Sequence, residues 1–236
     1  MTRIFTAALL AASMLAPLAA HAAEQTPRRI VVVGEGEATV KPDLALLSLA
    51  VMREAPNASE ALTLDSKAMT DVIAALKASG IADRDLQTSG VQINPHYEYI
   101  NQPDGTQTAK LLGYQVTNSI TVRVRDLSKT GEIIDKSVSL GVNQGGSITF
   151  TNDDPKATLT EARKKAVADA IDKAKTLTEA AGVKLGQVVE ISDLSYAQAP
   201  VPIVAKAYDQ AAAPTTPVEA GENAYKVQVN VTFELN

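Results

Sequence analysis

A stripe of alanines along one predicted helix constrains this fold strongly. The stretch from Asp154 to Gly182 is predicted to be the longest helix, because Asp154 suits the N-cap, Pro155 the first helical position and Gly182 the left-handed residue after the last turn. Its predicted inner face consists of Leu159, Ala162, Ala166, Ala170, Ala174, Leu177 and Ala181, with Val167 and Ile171 beside them. Alanine is small, so a flat layer such as a β-sheet can approach this face closely.

Three predicted helices share the same ending, in which an aliphatic residue follows a glycine. The three endings are Ser79-Gly80-Ile81, Leu140-Gly141-Val142 and Ala181-Gly182-Val183. Each leads into a strand-like run, which predicts a strand-strand-helix-strand unit that occurs twice, as pseudo-repeats of about 30–101 and 111–194. A proline-rich loop over 196–222 and a closing strand over 224–235 would follow. The predicted fold class is α+β, with a mixed, largely antiparallel sheet and helices packed on one face.

Periodicity predicts the faces of the remaining elements. Asn57 is expected to cap a helix with Leu62, Met69, Val72, Ile73 and Leu76 on its inner face, and Asp126 a helix that carries Leu127, Ile133, Ile134 and Val138. Alternation predicts a long hairpin of the strands 91–99 and 114–124, joined by a loop over 101–110.

Two pairs of glycines invite a phosphate-binding interpretation that the sequence does not support. Gly34-Glu35-Gly36 lacks the third glycine and the following helix of a dinucleotide site, so a bulged strand and a tight turn are expected. Gly145-Gly146 has no Lys-Ser or Lys-Thr after it, so a bulge or a close backbone approach is expected there.

The N-terminal residues 1–22 are predicted to be a secretory signal peptide. Arg3 precedes an apolar run over 4–18, and Ala20-His21-Ala22 forms a small-x-small cleavage site. A membrane anchor is the alternative, although the run is short for a bilayer span. Cleavage would leave 23–236, about 214 residues with a charge of about −6. An acidic chain with interspersed basic residues predicts no nucleic-acid partner.

The sequence predicts no catalytic residues, no cofactor and no metal site. His96 would be the lone histidine after cleavage, and it lies in an edge-like strand, so a surface or packing role is favoured over a Ser-His-Asp triad. Asp153-Asp154 is explained by helix capping better than by metal binding. The chain has no cysteine, so stability must come from core packing.

Several segments, in this order and spacing, resemble the SIMPL-domain family and within it the periplasmic immunogenic proteins. They are Val33-Gly34-Glu35-Gly36, Pro42-Asp43-Leu44-Ala45, Gly141 to Gly146, the alanine-rich helix, Val189 to Ser192, Gly221 and Val227 to Phe233. The resemblance implies a periplasmic location, association with the outer membrane, a loose link to oxidative-stress defence, and relatives that form ring or channel-shaped assemblies. The family offers no agreed catalytic residues to transfer.

Three functions from different classes fit the sequence. The first is a non-enzymatic, self-assembling homo-oligomer of the periplasm or cell envelope that contributes to envelope or oxidative-stress tolerance. The second is an outer-membrane-associated barrel or porin-like protein, against which the capped helices and the low aromatic content of 4% weigh. The third is a periplasmic hydrolase or ligand-binding protein with a dispersed carboxylate site.

Overall fold

The computed structural model describes residues 28–194, 201–203 and 216–236. The predicted signal peptide and most of the predicted loop lie outside these residues. In chain order the elements are β1 (Arg29–Val40), β2 (Leu44–Ala55), α1 (Ala58–Ala78), β3 (Leu86–Asn101), β4 (Gln107–Val124), α2 (Thr130–Ser139), β5 (Gln144–Thr151), α3 (Lys156–Ala180), β6 (Leu185–Asp193), β7 (Val201–Ile203) and β8 (Glu222–Leu235).

The strands divide into two sheets. The terminal sheet has the order β1-β8-β6, with β7 paired to the start of β8, and the middle sheet has the order β3-β4-β2-β5. Every strand pair among the described residues is antiparallel. The α+β class is therefore confirmed, and the largely antiparallel strands lie in two sheets. The pseudo-repeats over 30–101 and 111–194 stay a prediction.

Each sheet packs its own helices. The middle sheet builds its core from β2 and β4 against α1 and α2, with Leu47, Leu49, Val72, Val122 and Ile133 almost fully buried. The terminal sheet packs on α3. A buried polar junction connects the two, where Asn152 Oδ1 accepts hydrogen bonds from Asn223 Nδ2 at 3.0 Å and from the Tyr225 hydroxyl at 3.1 Å.

The alanine stripe of α3 lies directly on two glycines of β1. Ala162, Ala166, Ala170 and Ala174 are fully buried. A Cβ on Gly34 would clash with the carbonyl oxygen of Ala166 and lie 2.7 Å from the Cβ of Ala170. The predicted bulge at Gly34-Glu35-Gly36 is wrong, since β1 pairs with β8 without a register shift over Arg29–Val40. These glycines instead remove the side chains that would keep the helix away. The predicted tight turn is present at Lys41-Pro42-Asp43, between β1 and β2.

The predicted inner faces of the helices are wrong by one residue at several positions. Leu62, Val138 and Leu177 are exposed, whereas their neighbours Ala61, Ser137 and Thr178 are buried. At each of these three positions the smaller side chain is the buried one, and its larger neighbour is exposed. The cause is close packing, because a small residue lets the helix backbone come near the sheet.

The repeated helix ending is confirmed as three Schellman motifs. Gly80, Gly141 and Gly182 all have positive φ. The residue after each glycine donates its N–H back to the last turn, from Ile81 to Leu76, from Val142 to Ser137 and from Val183 to Thr178, at 3.0–3.1 Å.

The predicted caps are confirmed with small shifts. Asn57 accepts from the Glu60 N–H at 2.9 Å. Asp154 accepts from the Lys156 N–H at 3.2 Å, although α3 begins one residue later than predicted, so Pro155 takes the cap position. Asp126 caps the short 3-10 turn that precedes α2.

The predicted strand over 114–124 is confirmed, and so is the closing strand, with Val227, Val229 and Val231 buried. The bulge at Gly145-Gly146 is present opposite Ser48 and Leu49. The hairpin turn is tighter than predicted, since β3 reaches Asn101 and β4 begins at Gln107. Within the predicted loop, 201–203 form a short strand.

Candidate functional site

The hairpin of β3 and β4 extends past the rest of the middle sheet. β2 ends at Ala55, which pairs with Tyr114. Beyond that pair, residues 96–101 of β3 pair with residues of 107–113 of β4 and with no other described strand. We call residues 95–113 the arm. At about 3.3 Å per residue, six successive pairs project roughly 20 Å from the sheet.

The arm carries apolar side chains that no other described element covers. None of the residues of β3 is buried. Tyr99 is 65% exposed and Leu111 is 45% exposed, and the other large apolar residues exposed on the arm are Tyr97, Ile100 and Leu112. Because side chains alternate along a strand, Tyr97 and Tyr99 share one face of the ribbon with Leu111, which lies opposite Tyr97. Exposed apolar residues grouped in this way are typical of an interaction site.

Two of the outer strand edges, those of β1 and β3, differ in how they are protected. On β1, side chains of α3 occupy the free backbone groups: Lys173 Nζ donates to the Val33 carbonyl at 3.1 Å, and the Glu35 N–H donates to Asp169 at 2.7 Å. Lys173 also lies 2.6 Å from Asp169, which lowers the pKa of that carboxyl. This arrangement blocks the edge against another strand.

The free edge of β3 has no comparable protection. Within the described residues, no side chain hydrogen-bonds to the backbone of β3. Pro95 is the one residue of that edge without an N–H to offer. The backbone of β3 is therefore open to pairing with a further strand over most of its length.

A small polar group marks the base of the arm. His96 Nδ1 lies 2.8 Å from Glu54 Oε1, and Gln115 donates to the other oxygen of that carboxylate at 3.0 Å. The hydrogen bonds from His96 and then Gln115 lower the pKa of Glu54. The structure thus places His96 beside a carboxylate at the surface, where it fixes β3 and β4 against the end of β2.

A second charged group lies at the opposite end of the middle sheet. Arg125 binds Asp85 through two hydrogen bonds at 3.1 and 3.2 Å, and it also donates to Asp153 at 2.7 Å. Arg123 contacts both carboxylates, and Asp85 is nearly buried. The capping interpretation of Asp153 is therefore wrong, because its carboxylate belongs to this ion-pair network. The network borders an open cavity of about 290 Å³.

The sequence analysis missed a buried carboxyl under α1. Asp65 is 0% exposed, and neither of its oxygens has a hydrogen-bond partner. Oδ1 of Asn118 on β4 is likewise buried without a partner. The signal was present, because Asn118 takes an inward position between Val116 and Ile120, and Asp65 lies four residues after Ala61 on the buried stripe of α1. A polar residue in an apolar register is the pattern that reveals such a group.

Other chemistry is limited in the part of the chain that the structure describes. No three Asp, Glu or His side chains converge there in a way that would hold a metal ion. Among the same residues, no helix has the length and apolar character to cross a bilayer. The arm is the feature that stands out as a site.

Comparison with known proteins identifies a matching family and several similar proteins. A family model described as "SIMPL: Protein of unknown function (DUF541)" matches residues 30–233. The chain is 49% identical to the 26 kDa periplasmic immunogenic protein of Brucella melitensis, over 98% of this chain and 95% of the relative, and it is equally similar to that of Brucella abortus. It is 29% identical to the uncharacterized protein YggE of Escherichia coli K12, over 87% of this chain and 82% of that one.

Proposed function

The chain belongs to the SIMPL family, and on this premise we propose that it is a non-enzymatic periplasmic protein that assembles with copies of itself through the arm. The periplasmic location is supported by the names of the Brucella relatives. The observation that carries the assembly is the uncovered arm, with apolar side chains on a ribbon of two strands. A ribbon of two strands is marginally stable in water unless another layer covers it.

The energetics favour a contact in which two arms take part. Burying a large apolar side chain contributes about 1.5–3 kcal/mol, so the three half-exposed ones that share a face, Tyr97, Tyr99 and Leu111, contribute roughly 2–4 kcal/mol per arm. Association costs an estimated 4–15 kcal/mol in lost translational and rotational freedom. One arm against a polar surface would not offset this cost, whereas two arms that cover each other roughly double the gain and reach the lower part of that range. The geometry therefore favours a symmetric arm-to-arm contact.

Charge supports a second copy as the partner. The whole chain has a formal charge of −5, so two copies repel each other over most of their surface. The arm contains Glu98 and Asp104 against Lys110, and Glu98 pairs directly with Lys110 across the strands. This part of an acidic chain is nearly neutral, so two copies meet there at low electrostatic cost.

A pair of matched leucines tests the proposal. Leu111 on the arm is 45% exposed and Leu64 on α1 is 44% exposed. In sedimentation velocity at micromolar concentration, the mature protein and Leu64→Asp should both sediment as oligomers. Leu111→Asp should sediment as a smaller species with unchanged secondary structure. A monomeric wild-type protein, or an oligomer that Leu111→Asp leaves intact, would contradict the proposal.

We extend the proposal to the cell envelope, on the family resemblance alone. The assembled protein would contribute to tolerance of oxidants, with some of it associated with the outer membrane. A deletion strain should be more sensitive to peroxide, and the wild-type gene should restore growth whereas Leu111→Asp should not. Equal growth of the deletion strain and its parent would exclude this role without affecting the assembly.

A further inference from the structure

The space between α1 and the middle sheet holds oxygen atoms that lack a donor. Both carboxyl oxygens of Asp65 and Oδ1 of Asn118 are buried without hydrogen bonds. All three are acceptors when the carboxyl is ionised, and a buried acceptor without a donor is costly. What this group lacks is one hydrogen-bond donor.

The nearby arginine does not supply that donor. Arg53 of β2 faces the same layer, but its Nη1 donates to the Met52 carbonyl at 2.9 Å and to the Gly141 carbonyl at 3.2 Å. An ionised carboxylate in an apolar layer would draw a neighbouring guanidinium into a direct pair. Arg53 instead binds the backbone that ends α2, which is the arrangement expected beside a neutral acid.

We infer that Asp65 carries a proton in the folded protein and donates its O–H to Oδ1 of Asn118, so that α1 is held on the middle sheet by a bond that is lost as the pH rises. The proton satisfies the Asn118 oxygen, and it removes the buried charge. This device goes beyond the proposed function, because it concerns the attachment of α1 and does not require assembly.

The electrostatic surroundings agree with this geometry. Burial raises the pKa of Asp65 above its ordinary value, while the Asn118 amide and the charge of Arg53 oppose the shift in part. Arg53 is the charged group that faces Asp65 from β2, and β4 contributes the neutral Asn118. A raised pKa means that the folded state binds more protons than the unfolded chain. The stabilisation that the bound proton gives the folded state is complete below the unfolded pKa of about 4, and it is lost as the pH rises through the folded pKa of Asp65.

The first experiment measures urea unfolding of the mature protein between pH 2 and pH 8, so that groups with raised and with lowered pKa values both titrate within the range. Asp65→Asn keeps the shape and a donor but cannot titrate. As the pH rises above about 4, the unfolding constant of the wild type should increase relative to that of Asp65→Asn, by up to tenfold per pH unit, until the folded pKa is reached. Asp169→Asn is the control, because the lowered pKa of Asp169 predicts the opposite dependence.

Two results would overturn the inference. Parallel pH curves for the wild type and Asp65→Asn would show that Asp65 holds no extra proton, and a reversed slope would show that it is ionised and paired with Arg53.

A second measurement needs no variant and applies if Asp65→Asn does not fold. Hydrogen exchange of the wild type, corrected for the intrinsic rates, should show α1 losing protection relative to α3 as the pH rises from about 4 to 9. An unchanged ratio of protection between the two helices would contradict the inference.

Discussion

The contact between α3 and β1 gives the sharpest stability prediction. A Cβ added at Gly34 would lie 2.7 Å from the Cβ and 2.8 Å from the N of Ala170, and closer still to the Ala166 carbonyl. Carbon atoms pack best at about 3.5–4.0 Å, so α3 would have to move by roughly 1 Å. Overpacking typically costs about 1–3 kcal/mol. Gly34→Ala should lower the free energy of unfolding by about 3 kcal/mol, at the upper end of this range, because the backbone of α3 cannot rotate away as a side chain can.

Urea unfolding followed by circular dichroism measures this loss as a lower midpoint with an unchanged m-value. Gly90→Ala is the matched control, since Gly90 also lies in a strand but has nothing within 4 Å of an added Cβ. It should change the free energy of unfolding by less than about 0.5 kcal/mol. If both variants unfold at the same urea concentration, the close approach of α3 to β1 is not what holds the terminal sheet together.

Three further predictions concern individual side chains. Leu177→Ala should lower the free energy of unfolding by less than about 0.5 kcal/mol, because Leu177 is 53% exposed. Leu76→Ala should lower it by about 2–5 kcal/mol, because Leu76 is buried. Equal losses in urea unfolding would refute the observed helix phases. Asn57→Ala should cost about 1 kcal/mol through the lost N-cap of α1, and an unchanged melting temperature would show that the cap contributes nothing. The hydrogen bond from Arg125 lowers the pKa of Asp153, so the stabilisation from the ionised Asp153 is complete above the unfolded pKa of about 4 and is lost as the pH falls through the folded value. The free energies of unfolding of the wild type and Asp153→Asn should therefore differ at pH 7 and converge at low pH. A difference that stays constant with pH would exclude the ion pair as the cause.

Strands with strict alternation were predicted well because alternation fixes both the element and its buried face. Val122, Val124, Val227, Val229 and Val231 all point inward as expected. Helix stops were equally predictable, since only a residue that tolerates positive φ completes the Schellman motif.

Helix phase was less predictable because size and burial do not go together here. A search for large apolar residues selects Leu177, yet the terminal sheet has glycines at Gly34 and Gly36 beneath α3 and admits small residues best. The partner surface decides the phase, and the helix sequence alone does not contain it. Because the search selected apolar residues, it did not predict that Asp65 is buried. The burial of Asp65 is understood only from its position opposite Asn118 on β4.

The arm was predicted as a hairpin but not as a projection. Alternation over 91–99 predicts a strand with an apolar face, yet it does not tell whether another layer covers that face. The answer depends on the length of β2, which ends opposite Tyr114, and on the absence of a helix over 95–113 in the described structure. Both are properties of the assembled fold.

Chemical labelling of a single cysteine on the arm tests the central claim most directly. The chain contains no cysteine, so Tyr99→Cys and Val138→Cys each report on one place, and the two parent side chains are 65% and 56% exposed. Reaction with a maleimide should be slow at Tyr99→Cys when the protein is concentrated and should accelerate on dilution, while Val138→Cys reacts at one fast rate throughout. Equal, fast rates at both sites at every concentration would contradict an arm that is covered by a second copy.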